Sequence, residues 1–107
     1  MIASIDSIAM PAYVISEVEI LDERGADEYR ARAAASIEQY GGRYLVRGAA
    51  PDVVEGEGTS RRIVIVEFPS MERLREWYAS PAYAEALTFR ATALERRLIF
   101  VEGLPEL

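Results

Sequence analysis

Apolar positions along this chain change their period several times, and each change marks an element. Residues 13–20 are rich in β-branched side chains with charges entering at alternate places, which predicts a strand. Residues 22–25 then turn the chain. Over 26–40 the period lengthens, with Tyr29, Ala33, Ile37 and Tyr40 at helical spacing, and Gly41-Gly42 supplies a left-handed stop. Extended chemistry resumes over 43–47. Residues 48–60, with Pro51, Gly56 and Gly58, read as a long connection with room for a short strand at 53–55. Residues 62–68 are the strongest strand signal in the chain. Ser70 is placed to cap a helix whose face carries Met71, Leu74, Trp77 and Tyr78. Ser80-Pro81 re-caps and kinks it, and Tyr83, Leu87, Ala91 and Leu94 carry the stripe onward. A final strand over 98–102 closes the pattern. Residues 1–9 show no clear period and read as an N-terminal extension to one domain over 10–107.

Strand, helix, strand, strand, helix, strand is the split β-α-β order of the ferredoxin-like α+β fold. An internal echo supports it: a shift of fifty positions lays Tyr13-Val14-Ile15-Ser16-Glu17-Val18 on Ile63-Val64-Ile65-Val66-Glu67-Phe68. The echo predicts that the first and third strands are the adjacent, parallel, central pair. Along 63–68 both faces are apolar, the mark of a strand covered on both sides. Two helices cover only one face, so the other is expected to pack against a second copy of the sheet, making a homodimer.

Composition narrows the chemistry. The 107 residues contain neither Cys nor His, which excludes thiolate nucleophiles, disulfides, Ser-His-Asp triads, zinc sites with N or S ligands and His-ligated haem. Asp and Glu outnumber Lys and Arg by 18 to 12, so the average field repels nucleic acid and anionic membranes. The Arg residues are scattered, and most read as solvated faces. With no membrane-length apolar run and no signal-peptide pattern at the start, the expected location is cytoplasmic. Gly41-Gly42 and Gly56-Glu57-Gly58 are turns, lacking the context of a phosphate loop. Asp22, Asp27 and Glu28 lack calcium-loop spacing, so no metal is expected.

A resemblance covers nearly the whole chain, residues 10–103. Ala12-Tyr13-Val14-Ile15, Tyr40-Gly41-Gly42-Arg43-Tyr44-Leu45-Val46-Arg47-Gly48, Val54-Glu55-Gly56, Val66-Glu67-Phe68-Pro69-Ser70, and Trp77-Tyr78-Ala79-Ser80-Pro81 with Tyr83 and Arg90 together resemble the domain of unknown function 1330 family of the dimeric α/β-barrel superfamily. The resemblance implies a ferredoxin-like protomer and a barrel of two sheets packed face to face. It implies no reaction, because that superfamily spans cofactor-independent monooxygenases, lactone isomerases and haem enzymes. The chain departs from the family pattern at Ala49-Ala50, where a glycine is usual after Arg-Gly, and at Ala82, where Glu usually follows Ser-Pro.

Two constellations carry candidate chemistry. With Val14, Ser16, Val18, Val64, Val66 and Phe68 toward the helices, Glu17 and Glu67 point into the barrel interior. At equivalent positions of adjacent strands, two carboxylates would feel each other and one is expected to have a raised pKa, useful to a general acid or base. The plainer reading pairs them with Arg43 or Arg47, expected to share one face of the second strand. Tyr44, Trp77, Tyr78 and Tyr83 offer aromatic walls, although aromatics at helical spacing are usually core. Arg47 and Arg90 are the candidate carboxylate clamps, with Tyr83 and Arg90 as an anion-holding pair. Two functions follow. One is a cofactor-free enzyme acting on a small organic acid, lactone or aromatic compound in a cleft between sheet and helices, with Glu67 or Glu17 as acid/base. The other is a non-catalytic dimeric ligand-binding or interaction module.

Overall fold

Residues 10–105 are described by a computed structural model of the chain. Seven elements follow one another: β1 (Ala12–Ile20), α1 (Glu23–Gln39), β2 (Arg43–Ala49), β3 (Arg62–Phe68), α2 (Met71–Tyr78), α3 (Pro81–Leu87) and β4 (Leu94–Glu102). The strands make one sheet in the order β2-β3-β1-β4, with the helices on one side, which is the ferredoxin-like α+β arrangement. The N-terminal extension expected at residues 1–9 lies outside the described residues. No helix among those described is long and apolar enough to cross a membrane.

Local chemistry sets the boundaries. The Asp22 carboxylate accepts from the Gly25 N–H at 3.1 Å, so α1 begins at Glu23, inside the stretch expected to be a turn. Its far end closes on Gly41 at φ 81°, and the next residue has no room for a side chain. A Cβ on Gly42 would lie 2.7 Å from Ile37 Cγ2 and 2.8 Å from Phe68 Cε1. Ser70 and Ser80 cap α2 and α3, each accepting at 3.1 Å from the N–H three residues on. Pro81 occupies the first turn of α3, where its missing N–H costs nothing. The stripe through Ala91 does not continue as helix. Residues 88–93 turn through short-range hydrogen bonds, and Leu94 already begins β4, four residues earlier than expected. No strand forms at residues 53–55.

The central pair is β1 and β3 as expected, but they run antiparallel, with Tyr13 opposite Glu67 and Glu17 opposite Ile63. The reason is topological. The α1 crossover makes β2 run parallel to β1, the β2–β3 connection reverses the chain, and β3 inserts between them. The sequence echo therefore relates residues at opposite ends of the pair.

Between α2, α3 and the sheet sits the core, with Phe68, Leu74, Trp77 and Tyr83 its largest buried side chains. The Trp77 ring lies 4.2 Å from Tyr83 and 5.2 Å from Phe68, centroid to centroid. The Ser80 hydroxyl also donates to the Trp77 carbonyl at 2.7 Å. Ser80→Ala therefore removes a cap and one of the hydrogen bonds to that carbonyl, which keeps the Ser80 N–H at 3.0 Å. The expected loss is about 1–2 kcal/mol, read as a fall in melting temperature of several degrees.

Candidate functional site

A cavity of about 700 Å³ opens between α1 and the helix-facing side of the sheet, within the range that holds a small organic ligand. Its floor is Val14, Ser16 and Val18 of β1, Val64 and Val66 of β3 and Leu98 of β4. Tyr29, Ala33 and Ile37 of α1 and Trp77 of α2 complete the walls. Alternation along each strand places these residues on one face.

Polar groups share the lining with the apolar floor, Glu19, Glu23, Arg30, Ser60 and Arg62 among them, and three others bear on ligand binding. Ser16 is 4% exposed, and its Oγ has no hydrogen-bond partner among the described residues. Arg96 reaches in from β4, where it alternates with Leu94, Leu98 and Phe100. Its Nη1 donates to Tyr29 Oη at 2.6 Å and its Nη2 to Tyr83 Oη at 2.5 Å, while the two phenol oxygens lie 2.7 Å apart. Burial pushes the Tyr83 phenol well above its ordinary pKa, with the Tyr29 oxygen adding to the rise and Arg96 opposing it. Burial also works against the Arg96 charge, but the two phenol oxygens outweigh it and hold the guanidinium above its ordinary value. The third group is Arg47 at the edge of β2, stacked 4.3 Å over the Tyr44 ring. Burial raises the Tyr44 phenol pKa, against the opposing pull of Arg47.

Of the residues singled out in the sequence, Tyr44, Arg47 and Trp77 line this cavity. Tyr83 stands behind it, fully buried, bonded to Arg96 rather than to Arg90. The helical spacing that would bring Arg90 to Tyr83 is lost because α3 ends at Leu87 and Arg90 falls in the following turn.

Glu17 and Glu67 do not meet. The antiparallel register sets them four residues apart along the strands, about 13 Å, so they do not form a carboxylate pair. Both lie on the sheet face away from the cavity. Glu67 accepts from Arg43 at 2.8 Å, and Glu17 pairs with Arg97 at 3.6 Å.

Nor do Arg43 and Arg47 share a face. β2 carries register irregularities between Tyr44 and Val46 and between Arg47 and Ala49, the second at Gly48 with φ 90°. The first extra residue turns Arg47 to the helix side, opposite Val64, while Arg43 stays opposite Glu67. Tyr29, Ser16 and Arg96 escaped the sequence reading as site residues. The available signal for Arg96 was its place inside the apolar alternation Leu94, Leu98, Phe100.

Among the described residues no group of three or more acidic side chains is gathered to hold a metal ion. Asp22 caps α1, Asp27 pairs with Arg30 at 2.6 Å and Glu28 with Arg32 at 3.6 Å.

Comparison with known proteins gives the fold wide company. A protein of unknown function from Rhodopseudomonas palustris, RPA0582, superposes with a TM-score of 0.75 at 21% identity, over 89% of this chain and 83% of that one. SnoaB, a cofactor-independent oxygenase from Streptomyces nogalater, superposes at 0.64 and 14% identity, over 92% and 98%. A dimeric ferredoxin-like protein of unknown function from Thermobifida fusca reaches 0.50 at 14% identity, over 86% and 90%. No curated protein matches the chain. The model of the family Domain of unknown function (DUF1330) matches residues 11–104, and with that match over nearly all of its length the chain belongs to this family.

Proposed function

We propose that this protein binds a small, largely apolar organic acid, lactone or aromatic compound in the cavity between α1 and the sheet, and acts on it as a homodimer without a resident cofactor. One observation carries the proposal: a buried Ser16 hydroxyl without a partner and the Arg96 guanidinium converge in one apolar cavity of ligand size. A buried hydroxyl left unbonded is uncommon in native structures, and a ligand oxygen completes it. With Cys and His absent from the sequence, Tyr, Ser, Arg and Glu are the polar groups of the lining that would face such a ligand. The likeness to SnoaB supports a cofactor-independent reaction, and the likeness to the dimeric protein from Thermobifida fusca supports two copies. Acid/base work by Glu17 or Glu67 would need the ligand on the opposite face of the sheet, which the second copy covers in this reading. The alternative, a binding module without turnover, is favoured by the lack of any catalytic motif in the sequence.

A melting screen against aromatic carboxylates, lactones, quinones and phenols tests the proposal. A ligand at a hundred times its Kd stabilises the folded state by about 2.7 kcal/mol. The expected result is a dose-dependent rise in melting temperature that shrinks by more than half in Ser16→Ala and in Arg47→Ala. No rise across the panel overturns it. Loss of the compound on incubation separates an enzyme from a binding module.

A further inference from the structure

The hydrogen bonds around Arg96 can be counted, and the count leaves one proton over. A guanidinium only donates, so both phenol oxygens accept from Arg96. The two phenols own one proton each, and only one of them can occupy the line between the oxygens, which lie 2.7 Å apart. The other must point out of the triangle. Tyr83 is 0% exposed and has no further acceptor among the described residues, whereas Tyr29 lines the cavity. If Tyr29 gave its proton to Tyr83, the Tyr83 proton would be left buried without an acceptor. The favoured arrangement has Tyr83 donating to Tyr29 and Tyr29 directing its own O–H into the cavity.

We infer that the Tyr29 hydroxyl is the hydrogen-bond donor to an oxygen of the bound compound, so that the site selects aromatic compounds bearing a carbonyl, enolate or carboxylate oxygen over hydrocarbons of the same shape. Tyr83 and Arg96 are positioning residues for that donor: each bonds to the Tyr29 oxygen and fixes which way its proton points. A guanidinium behind the phenol also favours negative charge developing on the ligand oxygen, the arrangement of an oxyanion site. The inference rests on the cavity reading above and adds the identity and direction of its donor.

The test compares two neutral probes of one skeleton, 2-acetylnaphthalene and 2-ethylnaphthalene, by titration against the intact protein. The expected result is a preference for the ketone of about tenfold, the worth of one ordinary hydrogen bond. Tyr29→Phe should abolish the preference while leaving 2-ethylnaphthalene affinity in place, and Tyr83→Phe, which no longer fixes the Tyr29 proton, should weaken the preference without abolishing it. Infrared spectra of the ketone on the wild-type protein give a readout that needs no variant, with the carbonyl band expected below its position in hexane. Equal binding of the two probes, or an unshifted band, overturns the inference and leaves the cavity reading standing. If neither probe binds the wild-type protein, the inference is overturned, and the melting screen decides the cavity reading.

Discussion

Replacing Trp77 with Ala is expected to lower the unfolding free energy by about 3–5 kcal/mol, the largest loss at any single core position. Trp77 is 2% exposed, and its ring is clamped between Phe68 and Tyr83. Its Nε1–H donates to the buried Ser36 Oγ at 3.0 Å, a hydroxyl that in turn donates to the Ala33 carbonyl at 2.8 Å. The substitution therefore empties a large volume and removes the link that ties α2 to α1. Partial collapse is poor here because the vacated space borders the cavity, so the void enlarges an existing one. Against a net stability of roughly 5–15 kcal/mol for a domain, such a loss approaches unfolding. Trp77→Phe keeps most of the volume and should forfeit about 1–2 kcal/mol for the lost hydrogen bond and the smaller ring. Urea denaturation followed by far-UV circular dichroism, at one fixed protein concentration, measures both. A Trp77→Ala midpoint within about 1 kcal/mol of wild type would mean that this ring is not part of a packed core.

The strands and helices were legible where period and cap chemistry agreed. Residues 62–68 were bounded correctly because the apolar run stops at Pro69-Ser70, and Ser80-Pro81 announced the break between α2 and α3. Strand direction was legible in the order of the connections but not in the echo. Tyr13–Val18 and Ile63–Phe68 share a polarity pattern, yet a period of two reads the same in either direction, and only the order of connections makes the pair antiparallel. The stretch after Leu87 misled for a related reason: Ala91 and Leu94 keep helical spacing, but neither glycine nor proline follows Leu87 to mark the helix end.

The site was harder to read because it depends on which face a residue occupies. One extra residue in β2 reverses the side chains beyond it, so Arg47 joined Tyr44 on the helix side and Arg43 stayed with Glu67. Nothing local in Leu45-Val46 announces that irregularity. Arg96 and Arg97 are neighbours in sequence and nothing local separates their roles, but alternation sends Arg96 to the two phenols and Arg97 to Glu17. Tyr29 stands at helical spacing on the apolar stripe of α1, and the structure buries it. Its role at the cavity emerges only when Tyr83 and Arg96, distant in sequence, meet its hydroxyl.

A charge in the centre of the open sheet face should separate two copies of the chain. On that face Ile15, Ile63, Ile65 and Ile99 remain partly exposed, Val101 is 42% exposed, and no element among the described residues covers them. Glu67–Arg43 and Glu17–Arg97 lie on the same side, so an apolar strip is flanked by paired charges, as expected of an interface core and its rim. Ile65 stands between Ile15 and Val46 at the middle of this strip. In a two-fold dimer, Ile65→Glu would bury two carboxylates together, at about 2 kcal/mol or more each. The expected result is a dissociation constant raised by about a thousandfold or more. The monomer fold should survive, because the helix side of the sheet holds the core independently of Ile65. Light scattering at micromolar concentration should give twice the 11.9 kDa chain mass for the wild type and the single chain mass for the variant, with unchanged circular dichroism. A wild-type monomer, or a variant that remains dimeric, would show that this face is not where two copies meet.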